Sequence, residues 1–66
     1  MSTHDFITIT TPQDSTTFDP SLNARRLGMR QEDLNTYGEK GYALMSTLTV
    51  PSPEGLVIVD TMGRSR

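Results

Sequence analysis

Apolar and polar residues alternate near the start of the chain. Residues 5–11 are rich in β-branched and aromatic side chains with a period of two, the pattern of a half-buried strand. We therefore predict a first strand over these residues. Pro12 is expected to end it, because proline lacks the backbone N–H that a continuing ladder would use.

Residues 12–28 are mostly polar and predict a loop, with one short helical turn that is capped by Ser21 and interrupted by Gly28. Phe18 is the large apolar residue of this loop. Two interpretations stay open for it, an anchor that ties the loop to the core and a contact for a partner.

A helical pattern follows the loop. Leu34 and Tyr37 are three residues apart and share one helix face, and Leu27 extends that stripe toward the N-terminus. We predict a helix over residues 29–40. Gly41 is expected to end it, because a left-handed backbone conformation costs glycine little.

Two further strands are predicted after the helix. Residues 42–50 alternate, residues 51–55 have the composition of a turn, and residues 56–61 form a short β-branched run. The two strands should therefore pair as an antiparallel hairpin. We expect one face of the first of them to carry Tyr42, Leu44, Leu48 and Val50.

This order of elements predicts a small α+β domain of the β-α-β-β type. Its three-stranded, antiparallel-type sheet would carry one helix packed on one face. Residues 1–66 form a single domain, and residues 1–4 and 63–66 are expected to be frayed ends.

Both faces of the last predicted strand are apolar, because Val57 and Val59 lie opposite Leu56 and Ile58. A single helix covers only one face of a sheet. The other face needs a cover, and a second copy of the chain is the simplest one. We therefore expect a homo-dimer or a higher homo-oligomer.

Length and composition also favour self-association. A chain of 66 residues buries a small core, and disulfides, a metal or self-association usually stabilise such chains. The sequence has no cysteine and one histidine, so we expect neither a disulfide nor a metal site. The net charge of −2 does not favour binding to nucleic acids or anionic lipids.

No apolar run approaches the roughly 20 residues that span a bilayer. Residues 1–5 also lack the basic start of a signal peptide. We therefore expect no membrane association and a cytoplasmic location, which is the host cytoplasm if the gene is viral.

The polar residues do not form a recognisable catalytic pattern. Glu32 and Asp33 are adjacent, so on a helix they point about 100° apart and cannot flank a substrate. His4 is expected to be an ordinary solvated residue. Asp60 stands in a strand of valines and isoleucines, where it is either a solvated strand-end residue or a functional carboxylate with a shifted pKa. We expect no enzyme activity, no catalytic residue and no cofactor.

Arg25, Arg26 and Arg30 concentrate half of the six basic residues. They predict either a solvated helix face or a patch that contacts an acidic partner, RNA or a small anion. We select these three arginines as candidate ligand-binding or partner-binding residues.

The helix-to-strand joint contains Gly38 and Gly41 in a Gly-x-x-Gly pattern. These glycines follow a helix, whereas glycines that bind phosphate precede one, so we interpret them as structural. Gly38 is expected to allow close packing of the helix on the sheet. The other residues of this structural joint are Leu34, Tyr42 and Leu44. Together with Tyr37, they are expected to form the small core.

The same joint, Leu-Asn-x-x-Gly-x-x-Gly-Tyr-x-Leu over residues 34–44, resembles a family of short bacterial and phage domains of unknown function, family 4177. Tyr42 stands where that family usually has tryptophan, and residues 12–28 are longer than its compact pattern. The resemblance implies a strand, helix, strand, strand fold and a phage origin. It brings no established activity and no catalytic residue.

Two functional hypotheses follow. The first is a non-enzymatic, self-associating interaction module that binds another macromolecule, a host protein if the gene is viral. The second is an oligomer that binds a small anionic or nucleotide-like ligand at its subunit interface, with the three arginines as contacts.

Overall fold

The computed structural model describes residues 3–15 and 19–65, so Phe18 lies outside the described residues. Its elements are β1 (His4–Asp14), α1 (Pro20–Glu39), β2 (Ala43–Ser52) and β3 (Gly55–Ser65). The sheet has the strand order β1-β3-β2, and both pairings are antiparallel. The predicted α+β fold and the β2–β3 hairpin are confirmed.

The outer strand β1 is longer than the alternation predicted. Pro12 lies within it, opposite Val57. An edge strand tolerates proline where its missing N–H would point away from the sheet. His4 pairs with Ser65, so the prediction of frayed ends is wrong for His4 and for residues 63–65. These residues belong to the β1–β3 ladder, and Gly63 also pairs with Ala43 of β2.

The helix begins at Pro20, so the predicted start at residue 29 and the predicted loop over residues 12–28 are wrong. Asp19 caps the helix, and its carboxylate accepts a hydrogen bond from the Ser21 N–H at 3.0 Å. Ser21, the predicted cap, lies in the first turn. Gly28 lies inside the helix and does not interrupt it.

The half-buried residues of α1 explain why apolar periodicity does not predict its first half. From Asn23 onward they recur every three or four positions, and none of the helix residues is fully buried. Two arginines lie in the middle of this stripe, so apolar periodicity is visible only toward its end. The half-buried residues are Leu22, Asn23, Arg26, Arg30, Leu34 and Tyr37.

Direct cross-strand partners lie on the same face of a sheet. Asp60 of β3 pairs with Ile9 of β1 and Thr47 of β2, and Arg30 of α1 reaches its carboxylate. These contacts define the face that α1 covers. The opposite face, which we call the open face, has no element of the described chain packed on it.

A β-bulge in β2 overturns the predicted face assignment. Leu44 pairs with Met62, but Ser46 pairs with Thr61, so Met45 is an additional residue in the strand. One inserted residue reverses the alternation beyond it. Leu44 therefore lies on the α1 side, whereas Leu48 and Val50 lie on the open face.

The core is small. Among the described residues, Ile9 and Met62 are the buried apolar ones, and Thr11 and Asp60 are the buried polar ones. The Cα radius of gyration is 13.8 Å, whereas a compact chain of this length has about 11 Å. The accessible surface is 4801 Å², against about 4,200 Å² for a compact monomer of this mass. The single chain is thus unusually open.

The helix ends in a Schellman motif. The Tyr42 N–H donates to the Tyr37 carbonyl and the Gly41 N–H donates to the Gly38 carbonyl, both at 3.0 Å. Gly41 has φ +91°, which confirms its predicted role in ending the helix. The predicted role of Gly38 in close packing is wrong, because a Cβ there would meet no atom within 4 Å.

Alanine at the two joint glycines should have opposite effects. Gly41→Ala should lower the free energy of unfolding by about 1 kcal/mol, because the side chain disfavours positive φ. Gly38→Ala should raise it by about 0.5 kcal/mol, because alanine is the better helix former. Urea unfolding followed by circular dichroism measures both. Equal changes in the two variants would contradict this account of the joint.

Candidate interaction surface

The buried carboxylate of Asp60 organises the α1 side of the sheet. Its side chain is 0% exposed. Arg30 donates from Nε to Oδ2 at 2.7 Å and from Nη2 to Oδ1 at 2.9 Å, and the Thr47 hydroxyl donates to Oδ1 at 2.7 Å. The expectation of a solvated Asp60 is therefore wrong. Its burial depends on a partner 30 residues away, which local sequence does not reveal.

Hydrogen bonds from Arg30 hold the pKa of Asp60 below its ordinary value, with a further contribution from Thr47, and burial opposes them. The same pairing raises the pKa of Arg30. Asp60 is therefore ionised at neutral pH, and three donors occupy its oxygens. A general base needs a higher pKa and a free lone pair directed at a substrate. We interpret this cluster as structural, because it joins α1, β2 and β3.

Asp60→Asn should lower the free energy of unfolding by about 3 kcal/mol, because it leaves the Arg30 guanidinium half-buried without its counter-charge. Asp33→Asn, at an exposed position of α1 beside its cleft with β1, should change it by less than about 0.5 kcal/mol. Urea unfolding at neutral pH compares the two variants with the parent chain.

The pH dependence of stability should also change. The folded-state pKa of Asp60 is lowered, so its contribution is complete above the ordinary value of 3.8 and is lost as the pH falls through the folded-state pKa. Asp60→Asn should therefore lose less stability on acidification than Asp33→Asn. Parallel acid profiles for the two variants would show that the ion pair does not contribute.

The three candidate arginines have different environments. Arg30 is bound to Asp60. Arg25 lies 3.9 Å from Asp19 in an exposed ion pair, which contributes little to stability. Arg26 is half-buried and borders a small cleft between α1 and β1 together with Arg30 and Asp33. The positive charge of Arg30 is therefore paired with the Asp60 carboxylate. The cleft that Arg26 borders also contains the carboxylate of Asp33.

The predicted joint residues hold the end of α1 against the sheet. Tyr37 and Tyr42 meet edge to face with ring centroids 5.6 Å apart, and the Arg64 guanidinium lies 4.7 Å from the Tyr42 ring centroid. Arg64 also donates to the Lys40 carbonyl at 3.0 Å. Leu34 is half-buried as expected. Leu44 is 48% exposed, so its predicted place in the core is wrong.

The open face carries exposed apolar side chains that no element of the described chain covers. Its side chains come from all three strands. Within residues 6–12, 43–50 and 57–63, every side chain that points to the open face is uncharged. Half-buried Val57 and Val59 form its middle. The large apolar residues exposed on it are Phe6 (59%), Met45 (61%), Leu48 (61%) and Val50 (48%).

Gly63 makes part of this face continuous. A Cβ at this position would lie 2.9 Å from Phe6 Cε1 and 3.4 Å from Met45 Cγ. The absence of a side chain thus lets Phe6 of β1 and Met45 of β2 approach each other across the central strand. The result is one apolar patch at this end of the open face, and the row of Thr8, Thr61 and Ser46 separates it from a second patch around Val57 and Val59. Exposed apolar patches of this kind are typical of protein interfaces.

Within residues 3–15 and 19–65, no group of three His, Cys, Asp or Glu side chains is placed to hold a metal ion. His4 is exposed, and its Nε2 lies 3.4 Å from the Ser65 hydroxyl. In the same part of the chain, no helix is both long and apolar enough to cross a membrane.

Comparison with known proteins gives no relative: no family model, no curated protein and no solved structure matches this chain. The resemblance of the joint to family 4177 therefore stays a prediction. Function has to be inferred from the surface itself.

Proposed function

We propose that the protein is a self-associating, non-enzymatic interaction module, and that two copies pack their open faces together. The observation that carries this proposal is the uncharged face on the side of the sheet opposite α1, which exposes apolar side chains at both ends with a row of Thr8, Thr61 and Ser46 between them. Its exposed residues include Phe6, Met45 and Leu48, which a monomer would leave in water.

The size of the face supports a second copy as the cover. Strands of 11 residues are about 36 Å long, and three strands are about 14 Å wide. Each copy would then bury about 500 Å², and the pair about 1,000 Å², which reaches the lower limit of specific interfaces. An uncharged face also meets its own copy without repulsion between like charges.

The open shape of the single chain supports the same proposal, because its radius of gyration and accessible surface exceed those of a compact monomer. The alternative, an anionic ligand at the interface, is less favoured because no basic side chain points to the middle of the open face. If the gene is viral, the resemblance makes a host protein the further partner to test.

Two methionines provide a matched test. Met45 lies on the open face and is 61% exposed, and Met29 lies on α1, beside its cleft with β1, and is 62% exposed. Met45→Lys should weaken self-association at least tenfold, because it buries a charge in the interface. Met29→Lys should leave it unchanged. Sedimentation over a range of protein concentrations measures both variants.

A parent chain that stays monomeric and folded at millimolar concentration would overturn the proposal. Equal weakening by both lysines would also contradict it, since the effect would then come from charge and would not depend on the open face.

A further inference from the structure

The outer edge of β2 is unprotected. The strand order leaves β1 and β2 at the two edges of the sheet. The ten residues of β2 include no charged residue, and all of them except Ser52 are exposed. Natural edge strands usually carry charges, proline or bulges that prevent pairing with another chain.

The other edge strand, β1, is protected against pairing with another chain. β1 carries His4, Asp5 and Asp14 together with Pro12, so both of its ends and one ladder position are blocked. In β2 the bulge at Met45 and the proline at position 51 lie toward the ends. Residues 46–50 between them form a regular, uncharged segment that is open to pairing.

We propose that β2 pairs antiparallel with β2 of a second copy across a two-fold axis near Leu48. This axis sets Thr47 of each copy opposite Thr49 of the other, and Ser46 opposite Val50. Threonine pairs and apolar pairs at directly opposed positions stabilise a ladder, and no like charges meet. The segment is thus complementary to itself, and this favours a second copy over a foreign strand.

Antiparallel pairing across such an axis keeps each face on its own side. The sheet would grow to six strands, with both helices on one side and a doubled open face on the other. The inference rests on the proposed function, because it gives the self-association a second interface. Two isologous interfaces whose two-fold axes cross at right angles generate a closed tetramer, and this is the assembly that we propose.

Amide hydrogen exchange tests the edge pairing directly. In an edge strand, every second N–H points away from the sheet and is normally unprotected. In the associated protein, the outward N–H groups within residues 46–50 should exchange at least tenfold more slowly than the outward N–H groups of β1. The β1 edge serves as the internal control in the same sample.

The variant Phe6→Lys separates the two interfaces. Phe6 lies on the open face of β1, outside the β2 edge, so its replacement should disrupt face packing only. We expect this variant to form dimers by sedimentation and to keep the slow exchange of β2. The parent chain should form tetramers.

The possible failures are distinguishable. An oligomer whose outward β2 amides exchange as fast as those of β1 overturns the edge pairing and leaves face packing intact. A monomer at all concentrations overturns both. Protection of β2 that appears only when an extended peptide from another protein is added would replace the second copy with a foreign strand.

Discussion

The fold depends on the ion pair between Arg30 and Asp60. A carboxylate in the middle of the central strand is tolerated only if donors reach it, and two of its three donors come from the helix. This requirement fixes the position of α1 along the sheet, and the Thr47 hydroxyl extends the constraint to β2. Buried ion pairs often add little net stability. Few apolar contacts position α1 on the sheet. We therefore interpret this ion pair as the interaction that selects a single arrangement of the helix.

The sequence predicted the architecture because the strands follow simple rules. The alternation after Asp5 and the β-branched run after Gly55 are strong signals, and Gly41 ended the helix as expected. The start of α1 could not be predicted from apolar periodicity, because arginines occupy its sheet-facing positions. The useful signals were Asp19 followed by Pro20, a helix start, and the spacing of Arg26, Arg30 and Leu34.

The candidate surface was only partly predictable. The two apolar faces of β3 can be read from Val57 and Val59, and these valines lie on the open face, half-buried. The prediction that Leu44, Leu48 and Val50 share one face of β2 is wrong, because a bulge leaves no reliable mark in a single sequence. The burial of Asp60 could not be predicted for a related reason. Its partner comes from a distant segment, and long-range pairing is not contained in local patterns.

The bulge at Met45 also has an evolutionary consequence. The two sides of β2 differ in character, with Leu48 and Val50 on one and Thr47 and Thr49 on the other, and they are related by a slip of one residue. Deletion of the Met45 codon would join Leu44 directly to Ser46, and both would keep their present partners in β3, so Leu48 and Val50 would stay on the open face. The bulge therefore lets β2 lose one residue, and the open face lose one exposed apolar side chain, without exchanging the two sides of the strand.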